Sequence, residues 1–351
     1  MMDNSIFSFE SCLLEQLSKH PAMQAQDLVK LCYHAACGAD HLLSDIDAAY
    51  AYFKSEYEGT TAKDGELYEP VSDDFARVNI AQWKERGLKA DWLFSLFRLS
   101  VAEDERGQEK LLENLKAVER ILPQIGVSKS TWDAYVKDYV NRGMPAVHHS
   151  EEYRAAERPA YRLVRRSLLR LLPVLEKLNT VQRRPCVIAI DGRAGSGKSS
   201  LAAALAEMLD AAVVHMDDFF LPLELRGPER LSAPGGNVHY ERFKAEVLPW
   251  LRSPEGFCYN VFSCSEMKIN GSREVSAADY RIAEGSYSLH PEFGDYADVK
   301  VFSHVDPPEQ LRRVRLRDGD WAAEMFASRW IPMEEKYFSY FNIAEKCDYI
   351  I

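Results

Sequence analysis

From residue 192 to residue 199 the chain reads Gly192-Arg193-Ala194-Gly195-Ser196-Gly197-Lys198-Ser199, satisfying the spacing G-x-x-x-x-G-K-[ST] at every fixed position. Residue types in this order can wrap a compact, multiply charged anion. Gly192, Gly195 and Gly197 free the backbone to turn its N–H groups inward. A helix N-terminus behind the loop adds a positive field, Lys198 can reach β- and γ-phosphates, Ser199 can ligate Mg²⁺, and Ser200 continues the contacting stretch. The implied ligands are ATP and Mg²⁺.

Further residues could act on a bound triphosphate. Asp217 and Asp218 close a β-branched run, where a carboxylate can take the proton from a hydroxyl that attacks a phosphate; two solvated acids in a capped turn are the alternative. Glu284 ends another such run and can hold Mg²⁺, directly or through water, or else make a local backbone bond. Asp306 precedes Pro307-Pro308 and is read as structural. Arg312, Arg313, Arg315 and Arg317 lie within six residues on an expected helix. There Arg312 shares a face with Arg315, and Arg313 with Arg317. One pair can clamp a transferring phosphate, and Arg315 and Arg317 are chosen; a solvated basic face is the alternative. The loop Gly235-Gly236-Asn237-Val238-His239-Tyr240-Glu241-Arg242 offers His239, Tyr240 and Arg242 to a small polar substrate, though ordinary loop chemistry explains it equally well.

These residues need a scaffold that gathers them at one edge. Cys186 to Ile190, Ala211 to Met216, Tyr280 to Glu284, Val299 to Val305 and Cys347 to Ile351 read as strands, separated by helix-like segments. That alternation predicts a five-stranded parallel sheet with helices on both faces, binding its ligand beyond the carboxyl ends of the strands. Upstream the texture changes. Apolar residues recur at helical spacing over Phe9 to Leu17, Asp27 to Leu43, Ala48 to Tyr57, Asp74 to Glu85, Trp92 to Leu99, Glu109 to Leu122, Thr131 to Val140 and Tyr161 to Leu178. The polar joint at 180–185 divides an all-α domain, 1–182, from an α/β domain, 183–351.

The second half resembles the uridine kinase, phosphoribulokinase and nicotinamide riboside kinase group of phosphate-loop kinases. The likeness is carried by the loop, by His215-Met216-Asp217-Asp218-Phe219-Phe220-Leu221-Pro222, by Glu284-Gly285, by the run from Asp306 to Arg313 and by Arg329 to Tyr337. It implies Asp217 as the base with Asp218 as the fallback, and Phe219 and Phe220 as pocket wall or core packing. Cys258-Tyr259-Asn260-Val261-Phe262 is similar to the group's Tyr-Asp-Phe substrate loop, which brings in Tyr259, but Asn260 stands where the acid belongs.

In the first half His34, Cys37 and His41 share a helical face. Seven residues separate His34 from His41, about 10.5 Å of rise, too far for two ligands each about 2.1 Å from one zinc. They are read as packing, as are Tyr33, Trp83, Trp92 and Trp132. His148-His149-Ser150-Glu151-Glu152 is read as a loop and helix cap. No motif there names an activity.

With 351 residues and a net charge of −11, the chain reads as two domains and disfavours a general nucleic-acid binder. No apolar stretch approaches the roughly 18 residues of a membrane span. The acidic Met1 to Glu10 does not read as a secretory signal, and seven cysteines without a C-x-x-C pair suit reduced thiols, so the cytoplasm is expected. The expected function is an ATP-dependent kinase acting on a hydroxyl of a nucleoside-like or sugar-like small molecule. The competing expectation is a nucleotide-dependent switch whose helical domain binds a partner.

Overall fold

A computed structural model describes residues 8–39, 43–61, 64–101 and 106–351. The chain forms two compact units, Met1–Arg170 and Leu171–Ile351, dividing upstream of the polar joint.

The first unit contains α1 (Phe9–Lys19), α2 (Ala25–Cys37), α3 (Ile46–Gly59), β1 (Tyr68–Pro70), β2 (Phe75–Asn79) and α4 (Ile80–Glu85). It continues through α5 (Ala90–Leu99), α6 (Gly107–Ile121), α7 (Lys129–Asn141), α8 (Glu151–Glu157), β3 (Tyr161–Arg165) and the single turn α9 (Arg166–Leu169). Helices dominate, and Trp83, Trp92 and Trp132 fill the core as the sequence implies.

One correction applies to the all-α expectation. β1, β2 and β3 pair antiparallel, with Phe75 opposite Arg165 and Asn79 opposite Tyr161. The segments expected as helices over 74–85 and 161–178 therefore each begin as a strand. Each strand finds its partner far along the chain, and pairing with a distant segment overrides local helical spacing. Asn79 then caps α4, its side chain accepting from the Ala81 and Gln82 N–H groups. Ser150 caps α8 by accepting from Tyr153 N–H, with Glu151 and Glu152 in the first turn.

The second unit begins with α10 (Leu172–Thr180), then β4 (Cys186–Gly192), α11 (Lys198–Leu209), β5 (Ala212–His215), α12 (Pro228–Ser232) and α13 (Tyr240–Glu246). It goes on through β6 (Phe257–Ser263), β7 (Lys268–Val275), β8 (Tyr280–Glu284), β9 (Val299–Ser303), α14 (Pro307–Asp318), α15 (Asp320–Met325), α16 (Ile331–Phe341) and β10 (Tyr349–Ile350). Five strands pair in parallel in the order β10-β9-β4-β8-β5. β4 is buried along its whole length, which explains an apolar run without alternation.

The sheet order decides where a ligand goes. From β4 the chain passes to β5 and β8 on one side, then crosses to β9 on the other, leaving a crevice at the carboxyl end of β4. The second unit is thus a parallel α/β domain with the phosphate loop in that crevice. The antiparallel hairpin β6–β7, unforeseen from sequence, stands outside this sheet.

Candidate active site

Gly192 ends β4 at φ 138°, where a Cβ would strike the Ser303 carbonyl of β9, so only glycine fits. Gly197, at φ 93°, is the cap before α11. Between them the loop is braced from outside. Arg193 donates to both carboxylate oxygens of Glu335, at 2.5 and 2.9 Å, and Ala194 N–H donates to Glu334 at 3.0 Å. Lys198 is buried and its Nζ donates to the Arg193 carbonyl at 2.8 Å, folding the ammonium back over the loop.

Beneath the loop lies an acid that the sequence reading passes over. Asp191 is fully buried and accepts from the N–H groups of Gly192 (2.7 Å), Tyr287 (3.0 Å) and Leu289 (3.0 Å) and from the Tyr337 hydroxyl (2.8 Å). It ties β4 to the segment after β8 and to α16. A lone acid in an apolar strand was the available signal.

The register between β5 and β8 sets His215 opposite Glu284. His215 Nδ1 lies 2.6 Å from one oxygen of Glu284, and Ser199 Oγ donates to the other at 3.2 Å. A serine hydroxyl beside a buried carboxylate is a set of hard oxygen donors that fits Mg²⁺.

Asp217 and Asp218 are neighbours with opposite environments. Asp217 opens into a cleft of about 440 Å³ that Lys198, Ser199, Glu284, Arg317 and Glu334 also line. Desolvation, then the nearby Glu284 charge, pushes its carboxyl above the ordinary value, while Lys198 pulls it down. Asp218 is buried instead, accepting from Arg273 Nε at 2.9 Å and from the Tyr259 hydroxyl at 2.8 Å. Only Asp217 faces the space where an acceptor could sit.

The remaining expected substrate residues separate from the cleft. Phe219 is fully buried in the core, and Tyr259 is buried with its hydroxyl on Asp218. The Tyr240 hydroxyl is bonded to Arg230, and its ring stacks on His290. Arg242 is held by Glu246 and the carbonyls of Asp218 and Asn260. His239 does not line the cleft either. Of that loop, Asn237 does, and it is buried beside the Tyr287 hydroxyl. Phe220 and Trp330 supply apolar wall.

The arginines of α14 also divide. Arg312 and Arg313 both pair with Glu309, and Arg315 turns to Asp320 at 2.8 Å. Arg317, paired with Asp318, is the one that lines the cleft. A π-helical turn, Phe326–Trp330, joins α15 to α16 and brings Phe326 and Trp330 to the opening.

In the first unit His149 is buried, its Nδ1 2.7 Å from Asp27 and its Nε2 2.7 Å from the Tyr161 hydroxyl. His34 is buried and Cys37 half-buried, while His41 lies outside the described residues. Among the described residues no cluster of His, Cys, Asp and Glu could hold a metal, and no helix is long and apolar enough to cross a membrane. All seven cysteines are free thiols.

Two solved structures are similar to part of this chain. A possible uridine kinase from Bacillus stearothermophilus is 18% identical over 52% of this chain and 97% of its own, with a TM-score of 0.41. A provisionally named fructose transport system kinase from Silicibacter sp. TM1040 is 27% identical over 52% of this chain and 98% of its own, with a TM-score of 0.42. No family model and no curated protein matches the chain.

Proposed function

We propose that the second unit is an ATP-dependent kinase that phosphorylates a hydroxyl of a nucleoside-like or sugar-like small molecule. The observation that carries this reading is Asp217: a carboxylate with a raised proton affinity, open to the same cleft as Lys198, Ser199, Glu284 and Arg317.

The loop amides and Lys198 would bind the β- and γ-phosphates, with Lys198 leaving the Arg193 carbonyl to do so. Ser199 and Glu284 would hold Mg²⁺, which when bound neutralises developing phosphate charge. Asp217 takes the proton from the acceptor hydroxyl as its oxygen attacks the γ-phosphorus and the bond from that phosphorus to the β-phosphate oxygen breaks, releasing ADP; its raised affinity favours holding that proton. Arg317, which lines the same cleft, would stabilise charge on the equatorial oxygens. Phe220 and Trp330 would exclude water and pack against a ring, and the Asn237 amide at the cleft would offer a donor and an acceptor to its hydroxyls.

The test is ATP turnover by the full chain across a panel of nucleosides and sugars, with phosphorylated products identified by mass. Acceptor-dependent turnover that Asp217→Asn abolishes, with ATP affinity kept, supports the reading. ATP hydrolysis indifferent to every acceptor sinks it.

A further inference from the structure

The first unit contains a second cavity, of about 770 Å³, with a charge pattern that its own carboxylates do not balance. Lys30, Arg154, Arg158 and Arg162 line it, and among the described residues Glu56 is the one acid of its lining. Glu56 is already paired with Arg162 at 2.7 Å. Lys30 is nine-tenths buried, and its Nζ donates to the Val147 carbonyl at 2.8 Å, with no carboxylate bound to it among the described residues. Asp27, one turn away on α2, is committed elsewhere: its oxygens accept from His149 Nδ1, from Ser150 N–H and Oγ, and from Gln24 N–H. Arg154 and Arg158 are exposed and make no ion pair among the described residues.

Two physical signs mark this arrangement as unfinished. Burial, with Arg77 and Arg154 adding like-charge repulsion, pushes the Lys30 ammonium down to about 8, a burden that a counter-anion would relieve. Arg158 closes α8 in the left-handed region, at φ 45°, where glycine would be unstrained. That position keeps a guanidinium at the cavity against a backbone preference. Tyr52, Phe97 and Leu163 add apolar surface to the same lining.

We infer that the first unit binds a small organic anion, a ring or apolar body carrying a phosphate or carboxylate head, with Lys30, Arg154 and Arg158 around the head. Three cations with no carboxylate partner among the described residues, lining a cavity of ligand size that aromatic side chains also line, fit that chemistry.

The experiment is calorimetric titration of the full chain with phenyl phosphate and, separately, benzoate, with the phosphate loop saturated by ATP and Mg²⁺ and repeated in Lys198→Ala. Saturable binding of either probe is expected, weakened about tenfold or more by Arg154→Ala and by Arg158→Gly. Binding of phenyl phosphate alone assigns a phosphate head, and of benzoate alone a carboxylate head. Arg158→Gly should at the same time raise the thermal midpoint, because it relaxes the left-handed residue, so weakened binding cannot be put down to misfolding. No saturable binding of either probe, or binding indifferent to both substitutions, overturns the inference.

Discussion

Within the second unit, Lys198 and Ser199 come from a single eight-residue loop, whereas in the first unit Asp27 and His149 meet across 122 positions of chain. Both regions bury charge. In the cleft, desolvation and like charge raise the proton affinity of Asp217 and leave it open to a substrate. In the Asp27–His149–Tyr161 chain, hydrogen bonds hold Asp27 below the ordinary aspartate value against its own desolvation, and burial holds His149 down to about 4. A carboxylate of raised proton affinity facing a cavity is a tool for chemistry, and a saturated one is a fastening.

The largest test of that contrast is Asp217→Asn. Turnover should fall about a thousandfold with ATP affinity unchanged, measured by a coupled assay and by calorimetry. The same exchange of role at Asp27 should act on stability. Asp27→Ala strands the His149 N–H, two backbone N–H groups and the Ser150 hydroxyl, and should cost about 3 kcal/mol, read by chemical denaturation. If Asp27→Ala left stability untouched, the distinction between fastening and tool would break.

Acid should separate the two regions in a different way. Between about 4 and 6.5 the unfolded chain binds a proton at His149 that the folded chain refuses, so stability falls as pH drops through that window. Asp27 adds to this only at lower pH, below its ordinary 3.8. Turnover follows Asp217, whose raised value means that acid silences the base at a higher pH than an ordinary aspartate would set. Melts and rates measured over pH 4 to 8 should therefore show both falls, and His149→Phe should lessen the fall in the melts while leaving the rates alone, the rest of that fall belonging to His290, which burial also holds down to about 4.

The smallest effects sharpen the boundary of the cleft. Arg317→Ala should lower turnover about tenfold, whereas Arg315→Ala, which removes an exposed pair with Asp320, should change it no more than about threefold. Equal losses would mean that α14 rearranges when nucleotide binds.

Much of the second unit was legible because its signals are local. The phosphate loop is an uninterrupted motif, the strand Tyr280–Glu284 has the expected bounds, and a strand-terminal Glu284 or Asp217 can be seen as such in one dimension. Tyr259 and Phe219 enter through the family resemblance, Phe219 as pocket wall or core packing, and Tyr240 through its polar group, and the fold commits each to the core or to a neighbour. Asp191, Glu334 and Asn237 went unread because each depends on partners or space that no local spacing encodes.

By itself the sequence determined where a triphosphate could be wrapped and which segments had to be buried strands, since both follow from residue type at short range. Tertiary structure alone decided which of two adjacent aspartates faces the cleft, which of four arginines reaches it, and that β2 and β3 pair as strands. The physical reason is common to all three: burial and pairing are set by groups distant in the chain, and a carboxylate, guanidinium or β-branched run takes its role from whichever of them it meets.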